Sequence, residues 1–459
     1  MLDEANDDKQ DLLASRATVY RECAIFSERQ YHATLKSSDG IRWKVYVDRK
    51  KQEIENRSME LARTPNDSVR KGLEFDQAKA QKLLQEDSEL FRKHNTIRDN
   101  FLRQAIHMHS RCLEASDDFD DDSAIRFCSL WFANFDDESA LETVKDALEH
   151  IPSRKLVFLA VCLSPFVCMK EKKAKVFLKH QLTARLATQM SKTQENLQRL
   201  IMRMCREHPF HSLYQVYCLQ PDRPNHTTAN RRQSGRHSTL STQTERGAAA
   251  SSIFDRLRGD ETVENRVRDV ERLCDASLEW AKHPIANDPR FKNRTKQRFK
   301  IPDALSIRKL TQLRVPVTTA NTPLDLTMKY EDCVWIDHYE PTFTTAGGNN
   351  LPKVSICHGS DGQRYKQLVR TSLNFAFLCK PLIAYQFKGE GNDDLRQDAV
   401  MEQVFDLVNS ILRRDQETRR RDLKVREYKV IPLSPRAGLL EFVGNTFPLR
   451  EWLPKAHQL

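Results

Sequence analysis

From residue 11 to about residue 220, apolar side chains recur at spacings of three and four, the period of one helix face. The pattern predicts amphipathic helices over 77–92, 97–113, 122–133, 139–150 and 192–205. Short polar stretches at 63–66, 117–121 and 134–137 separate them. Helices joined by links this short fold as antiparallel hairpins, and their succession predicts an α-solenoid. The acidic run 116–122 lacks the glycine and closing glutamate of a calcium-binding loop, so it reads as a solvated link whose carboxylates lie near a helix N-terminus.

The composition changes at 221–252, which is rich in Arg, Asn, Ser, Thr and Gln and predicts a disordered basic linker. An amphipathic helix follows over 263–282. Past Pro302 the period shortens to that of strands. Residues 332–343 alternate, 351–358 read as a strand, Ser360-Asp361-Gly362 as a hairpin turn, and 363–368 as the return strand. A long helix is predicted over 393–421, with Leu395, Ala399, Val400, Val404, Leu407, Val408 and Ile411 on its apolar side, then strands over 425–433 and 438–443. The fold class predicted is an α-helical solenoid followed by an α+β lobe.

Composition narrows this further. With 459 residues and 39% hydrophobic content the chain can bury sizeable cores, and 13 glycines beside 30% charged residues suit long helices. The longest apolar run, 157–169, is interrupted by Ser164 and Pro165 and is shorter than the ~20 residues a membrane span needs, so no membrane partner is expected. The acidic, polar first ten residues are not a secretory signal. Eleven scattered cysteines without metal-ligand spacing, among them Cys128, Cys205 and Cys218 in apolar runs, predict buried thiols and no metal site. The net charge of +10 is spread along the chain, which makes direct DNA contact a weak expectation.

In the α+β lobe, Thr345-Ala346-Gly347-Gly348-Asn349-Asn350-Leu351 joins the first two predicted strands, and small residues there let backbone amides approach phosphate oxygens. A plain hairpin explains the glycines equally well. Lys388 stands shortly before Asp393, Asp394 and Asp398 at the start of the long helix. A strand lysine paired to a helix carboxylate holds the phosphates of ATP in kinases; equally, the aspartates could only cap the helix.

Gly391-Asn392-Asp393-Asp394-Leu395-Arg396-Gln397-Asp398-Ala399-Val400-Met401-Glu402-Gln403-Val404-Phe405 resembles the N-lobe helix motif of the phosphatidylinositol 3-kinase-related protein kinases. Within that family Ile356-Cys357-His358-Gly359-Ser360-Asp361-Gly362, Tyr428-Lys429-Val430-Ile431-Pro432-Leu433-Ser434 and Leu439-Leu440-Glu441-Phe442-Val443 look most like the ATM branch. So do Phe127-Cys128-Ser129-Leu130-Trp131, Ile151-Pro152-Ser153-Arg154-Lys155 and His180-Gln181-Leu182-Thr183-Ala184-Arg185-Leu186. The resemblance implies a FAT-type solenoid over 1–220, a helical connector over 253–335 and a kinase N-lobe over 336–459. It implies a nuclear serine/threonine protein kinase of DNA-damage checkpoints and telomere maintenance, using ATP and Mg²⁺ and phosphorylating Ser/Thr-Gln motifs, a core histone (type 2A) tail included. DNA-break sensor complexes and a homodimer are the implied partners. Gly347, Gly348 and Asn349 would meet the phosphates, with Lys388 held by Asp393, Asp394 or Asp398, while Leu440, Glu441 and Val443 would form the hinge that receives adenine.

Two departures stand out. The 459 residues hold no Asp-Arg-His…Asn catalytic loop and no metal-binding Asp-Phe/Leu-Gly, so the chain alone is expected to lack phosphoryl transfer. Segments 161–179 and 369–386 interrupt the family's pattern and can be read as introns translated in frame; sequencing the transcript across either junction tests that. Thr242-Gln243, in the predicted linker, is an autophosphorylation candidate. A lipid kinase and a non-catalytic helical scaffold are the alternative readings.

Overall fold

A computed structural model describes residues 2–63, 65–152, 154–155, 185–189, 191–221, 237–283, 297–325, 327–346, 352–371, 395–446 and 453. They fall into two compact units, 1–155 and 156–459. The segment 161–179 lies outside the described residues.

The first unit is all helix: α1 (Leu2–Leu35), α2 (Ser38–Arg63), α3 (Asp67–Ala115), α4 (Asp120–Ala133) and α5 (Glu138–His150). The two helices predicted over 77–92 and 97–113 are one continuous helix, because Lys93-His94-Asn95-Thr96 offers neither glycine nor proline to stop it. The side chain of Asn66 caps α3 by accepting from the Ser68 amide at 3.1 Å, and Asp137 caps α5 by accepting from Ala140 at 3.0 Å. Leu102, Ile106 and Leu113 of α3, Phe127 and Trp131 of α4, and Val144 of α5 are buried together as the core.

Polar ties fix the helices laterally. Tyr31 Oη donates to Asn134 Oδ1 at 2.8 Å, while Asn134 Nδ2 donates to the Leu130 carbonyl. The acidic link is less solvated than its composition suggests: Lys155 is buried and reaches Asp117 at 2.8 Å and Asp120 at 2.9 Å. Burial pushes Asp120 up to about 6. Glu28 goes the other way. Burial would raise it, but His109 at 3.6 Å and Arg126 at 2.9 Å outweigh that and hold it at about 2.

Because the folded pKa of Glu28 lies below its unfolded value, its stabilisation is complete above about pH 4.5 and lost as pH falls toward 2. We expect Glu28→Gln to cost about 2 to 3 kcal/mol at pH 6 and much less at pH 2.5, read from urea unfolding of the whole chain at both values.

The second unit comprises α6 (Lys192–Glu207), α7 (Pro209–Tyr217), α8 (His237–Arg258), α9 (Glu264–Lys282) and a sheet with two further helices. Its strands are β1 (Phe299–Lys300), β2 (Thr311–Pro316), β3 (Trp335–Thr345), β4 (Lys353–Gly359), β5 (Arg364–Thr371), β6 (Val430–Ser434) and β7 (Ala437–Glu441). Helices α10 (Leu395–Arg414) and α11 (Gln416–Arg420) come between β5 and β6. The sheet runs β1-β3-β4-β5-β7-β6, with β2 also on β3, and every pairing is antiparallel.

Three expectations are corrected here. The linker expected over 221–252 contains most of α8, whose Ala249, Ala250, Ile253 and Phe254 are buried; small residues at helical spacing let it pack despite its polar composition. Thr242 therefore lies in a helix. The expected connector over 253–335 already holds β1 and β2, so the sheet starts before residue 336. And α6 and α7 belong with this second unit rather than ending a solenoid at residue 220. His208 Nδ1 is 2.8 Å from Tyr330 Oη, and Phe210 sets its edge against the rings of Tyr330 and Trp335.

One face of the sheet is closed by α9. Trp280 is fully buried, donates through Nε1 to Ser355 Oγ at 3.0 Å and meets Phe343 edge-on at 4.9 Å. Lys353, itself buried, lies over the Trp280 ring at 4.2 Å and donates to the carbonyls of Trp280, Ala281 and His283, which ends α9. The cysteines at 112, 128, 205, 218, 274 and 357 are buried and form no disulfide. Among the described residues no helix is long and apolar enough to cross a membrane, and no cluster of ligands could hold a metal ion.

Candidate functional site

Residues directly opposite on neighbouring strands share a face of the sheet. The register aligns Thr344 with Val354, Val354 with Leu368, Leu368 with Leu440, and Leu440 with Val430. This row crosses the face opposite α9. Alternation sends Gln367 and Val369 the other way, into the core, where Gln367 meets Tyr339 Oη at 3.1 Å and the hydroxyls of Thr318 and Thr319 at 3.2 Å. Arg370 is two residues beyond Leu368 and returns to the row's face, half-buried. Its Nη1 is 3.4 Å from Asp398 Oδ2 in the first turn of α10. Val354, Leu368, Leu440 and Val430 thus form an apolar strip on the face that also carries a cation–carboxylate pair.

Of the predicted site residues, the structure brings Asp398 and Leu440 to this face. Gly347, Gly348, Asn349, Lys388, Asp393 and Asp394 lie outside the described residues. Glu441 aligns with Gln367, so its side chain leaves the row; its Oε2 accepts from the Lys429 amide at 3.1 Å. Its backbone amide donates to the Lys429 carbonyl at 2.8 Å, and the Phe442 amide to Lys366 at 3.1 Å. Among the described residues no backbone bond takes up the amide of Val443. Of the predicted hinge, Val443 therefore carries the amide that the sheet leaves to another acceptor.

Sequence reasoning missed Val354, Leu368 and Arg370. Strand alternation could have found the first two. Arg370 is the second residue of the segment 369–386 that interrupts the family's pattern, yet β5 continues through Thr371, with Val369 opposite Leu439, Arg370 opposite Gly438 and Thr371 opposite Ala437. The β-branched Val369 and Thr371 favour this extension. Gly438 permits the close approach of β6 behind it, since a Cβ there would meet the Ile431 carbonyl oxygen at 2.5 Å. Joining Leu368 directly to Phe387 would place Lys388 second after Leu368, in the slot that Arg370 now fills. The two readings of the phosphate cation thus compete for one strand position.

An apolar strip suits a flat heteroaromatic ring, an unsatisfied amide at its edge suits a ring nitrogen, and a carboxylate-held cation suits phosphate oxygens. The residues present fit ATP in this respect.

Residues 383–458 match the family described as phosphatidylinositol 3- and 4-kinase. The serine/threonine-protein kinase tel1 of Emericella nidulans is 32% identical over 456 residues, covering 96% of this chain and 14% of that protein. The chain is similar to Tel1 kinases along nearly all of its own length. The serine/threonine-protein kinase tel1 of Schizosaccharomyces pombe is 28% identical, over 97% of this chain and 14% of that one. A solved structure titled "FAT and kinase domain of CtTel1" superposes with a TM-score of 0.70 at 26% identity, over 96% of this chain and 26% of that one. The fold is accordingly a FAT-type helical region followed by the α+β part of a kinase domain. Another Tel1 structure, titled "Complete CtTel1 dimer with C2 symmetry", matches with a TM-score of 0.70 at 26% identity, over 96% of this chain and 14% of that one. The chain thus spans about a seventh of the curated Tel1 relatives. The family match begins at residue 383, so it takes in Lys388 and leaves out most of the segment 369–386.

Proposed function

We propose that these residues form the FAT-end helices and ATP-receiving lobe of a serine/threonine protein kinase of the Tel1 type. The observation that carries this is the Thr344–Val354–Leu368–Leu440 row with the Arg370–Asp398 pair at its edge, in a chain related to Tel1 kinases over nearly all its length. In this reading Val354, Leu368 and Leu440 seat the adenine, the Val443 amide orients it, and Asp398 holds the cation on the phosphates. Gly347, Gly348 and Asn349 meet the phosphates in the same reading. Asp393 and Asp394 favour the same end of α10. Mg²⁺, which supplies charge neutralisation at the phosphates, would be held by residues of the kinase other than these.

The whole enzyme phosphorylates Ser/Thr-Gln motifs on checkpoint proteins and a core histone (type 2A) tail, acts in the nucleus at DNA breaks through sensor complexes, and maintains telomeres. It works as a homodimer. This chain holds neither the catalytic base nor the metal-binding aspartate, so it binds the nucleotide without transferring phosphate. Titration of the chain with fluorescent N-methylanthraniloyl-ATP should show saturable binding competed by ATP, and no phosphate transfer to a Ser-Gln peptide above a control without protein. Absence of binding would overturn the kinase reading, and transfer above the control would overturn the division of labour.

A further inference from the structure

Lys353 is 4% exposed, and its ammonium serves three acceptors at the end of α9: the carbonyls of Trp280, of Ala281 at 3.1 Å and of His283 at 2.7 Å. The Trp280 ring lies beneath it, with its centroid 4.2 Å away. Carbonyls in a helix's last turn lack intrahelical donors, and a cation there also meets the negative end of the helix dipole. Burial pulls Lys353 down to about 7. The three carbonyls nevertheless call for the ammonium form, which has three N–H groups where the neutral amine has two.

An apolar side chain of similar volume would hold α9 on the sheet without the desolvation cost of a buried charge. What the cation adds is a single position. Thr345 and Lys353 are the last register pair of the β3–β4 hairpin, and one step beyond them the Ala346 amide donates to the Pro352 carbonyl at 2.8 Å. Gly347, Gly348 and Asn349 follow Ala346 directly. Strand alternation sends Lys353 toward α9 and its neighbour Val354 into the apolar strip. The clamp therefore grips, from behind, the end of the hairpin that borders the nucleotide face.

We infer that Lys353 is a positioning residue for the nucleotide's phosphates: by fixing the foot of the hairpin on α9, it sets where Gly347, Gly348 and Asn349 leave the sheet. Its own side chain stays on the far face and touches no nucleotide atom. This role rests on the nucleotide reading above, in which those three residues meet the phosphates.

Displacement of N-methylanthraniloyl-ATP by ATP and by adenosine, followed by fluorescence, separates the phosphate contribution from that of the ring. Lys353→Met should weaken ATP binding about tenfold, the loss of a pre-set phosphate contact, and leave adenosine binding unchanged. Ser355→Ala is the matched control. It removes the acceptor of Trp280 Nε1 and so loosens α9 while leaving the clamp in place, and it should lower the melting temperature without changing ATP affinity. Coupling between two sites is reciprocal. In the unsubstituted chain, therefore, saturating ATP should slow deuterium exchange at residues 279–283 relative to 264–270, and adenosine should not; this measurement needs no variant to fold. No nucleotide binding by the unsubstituted chain would overturn the kinase reading and the role of Lys353 with it. Binding that Lys353→Met leaves unchanged, equal losses for ATP and adenosine, an equal loss of ATP affinity in Ser355→Ala, or exchange at 279–283 that ignores ATP would each overturn the role alone.

Discussion

Trp280→Ala should lower the melting temperature of the chain's second unit by roughly 10 °C, the largest stability effect expected of any single substitution here. Truncating a fully buried tryptophan costs about 3 to 5 kcal/mol in transfer and cavity terms. Here three further interactions go with it: the Nε1 bond to Ser355, the edge contact with Phe343, and the ring beneath the Lys353 ammonium. Lys353 would keep its carbonyl acceptors but lose the surface that shields them. Trp280→Phe retains most of the apolar area and should recover more than half of the loss. Differential scanning calorimetry of the three proteins checks this, and a shift below about 3 °C for the alanine variant would mean that α9 is not anchored to the sheet as described.

The second large effect concerns the cation beside Asp398. With residues 369–386 in place, Arg370→Ala should reduce affinity for N-methylanthraniloyl-ATP about tenfold or more, the loss of a charge-assisted phosphate contact. Lys388→Ala should then matter little. Deleting residues 369–386 reverses the dependence, because Leu368 is then followed by Phe387 and Lys388, and Lys388→Ala becomes the damaging substitution. A chain in which Lys388→Ala is damaging with the segment present would show that Arg370 is not the phosphate cation. Arg370→Lys is a useful control, since the ammonium keeps the charge but gives up the planar fork.

Much of this lobe was legible in the sequence. The hairpin at Ser360-Asp361-Gly362 appears where the turn chemistry places it, with Gly362 at φ +74°, a value that glycine adopts freely. Helix α10 begins within two residues of its predicted start, though Asp415 breaks it by capping α11 through the Thr418 amide at 2.9 Å. Long-range register was not legible. Nothing local says that Leu368 lies beside Leu440, 72 residues on, and only that register separates Leu440, which joins the apolar strip, from Glu441, which turns away from it. The helix over 237–258 was hidden for another reason: its polar composition masks a narrow buried stripe of alanines with Ile253 and Phe254. Similarly, Lys353 reads as one more surface lysine until the end of α9 is seen to depend on it.

Photolabelling with 8-azidoadenosine triphosphate tests the central assignment most directly. Irradiation of the chain followed by peptide mapping should place the label within β4–β5, residues 353–371, and around 440–443, and excess ATP should abolish it. Label confined to the first unit, or to the α9 side of the sheet, would contradict the nucleotide face described here.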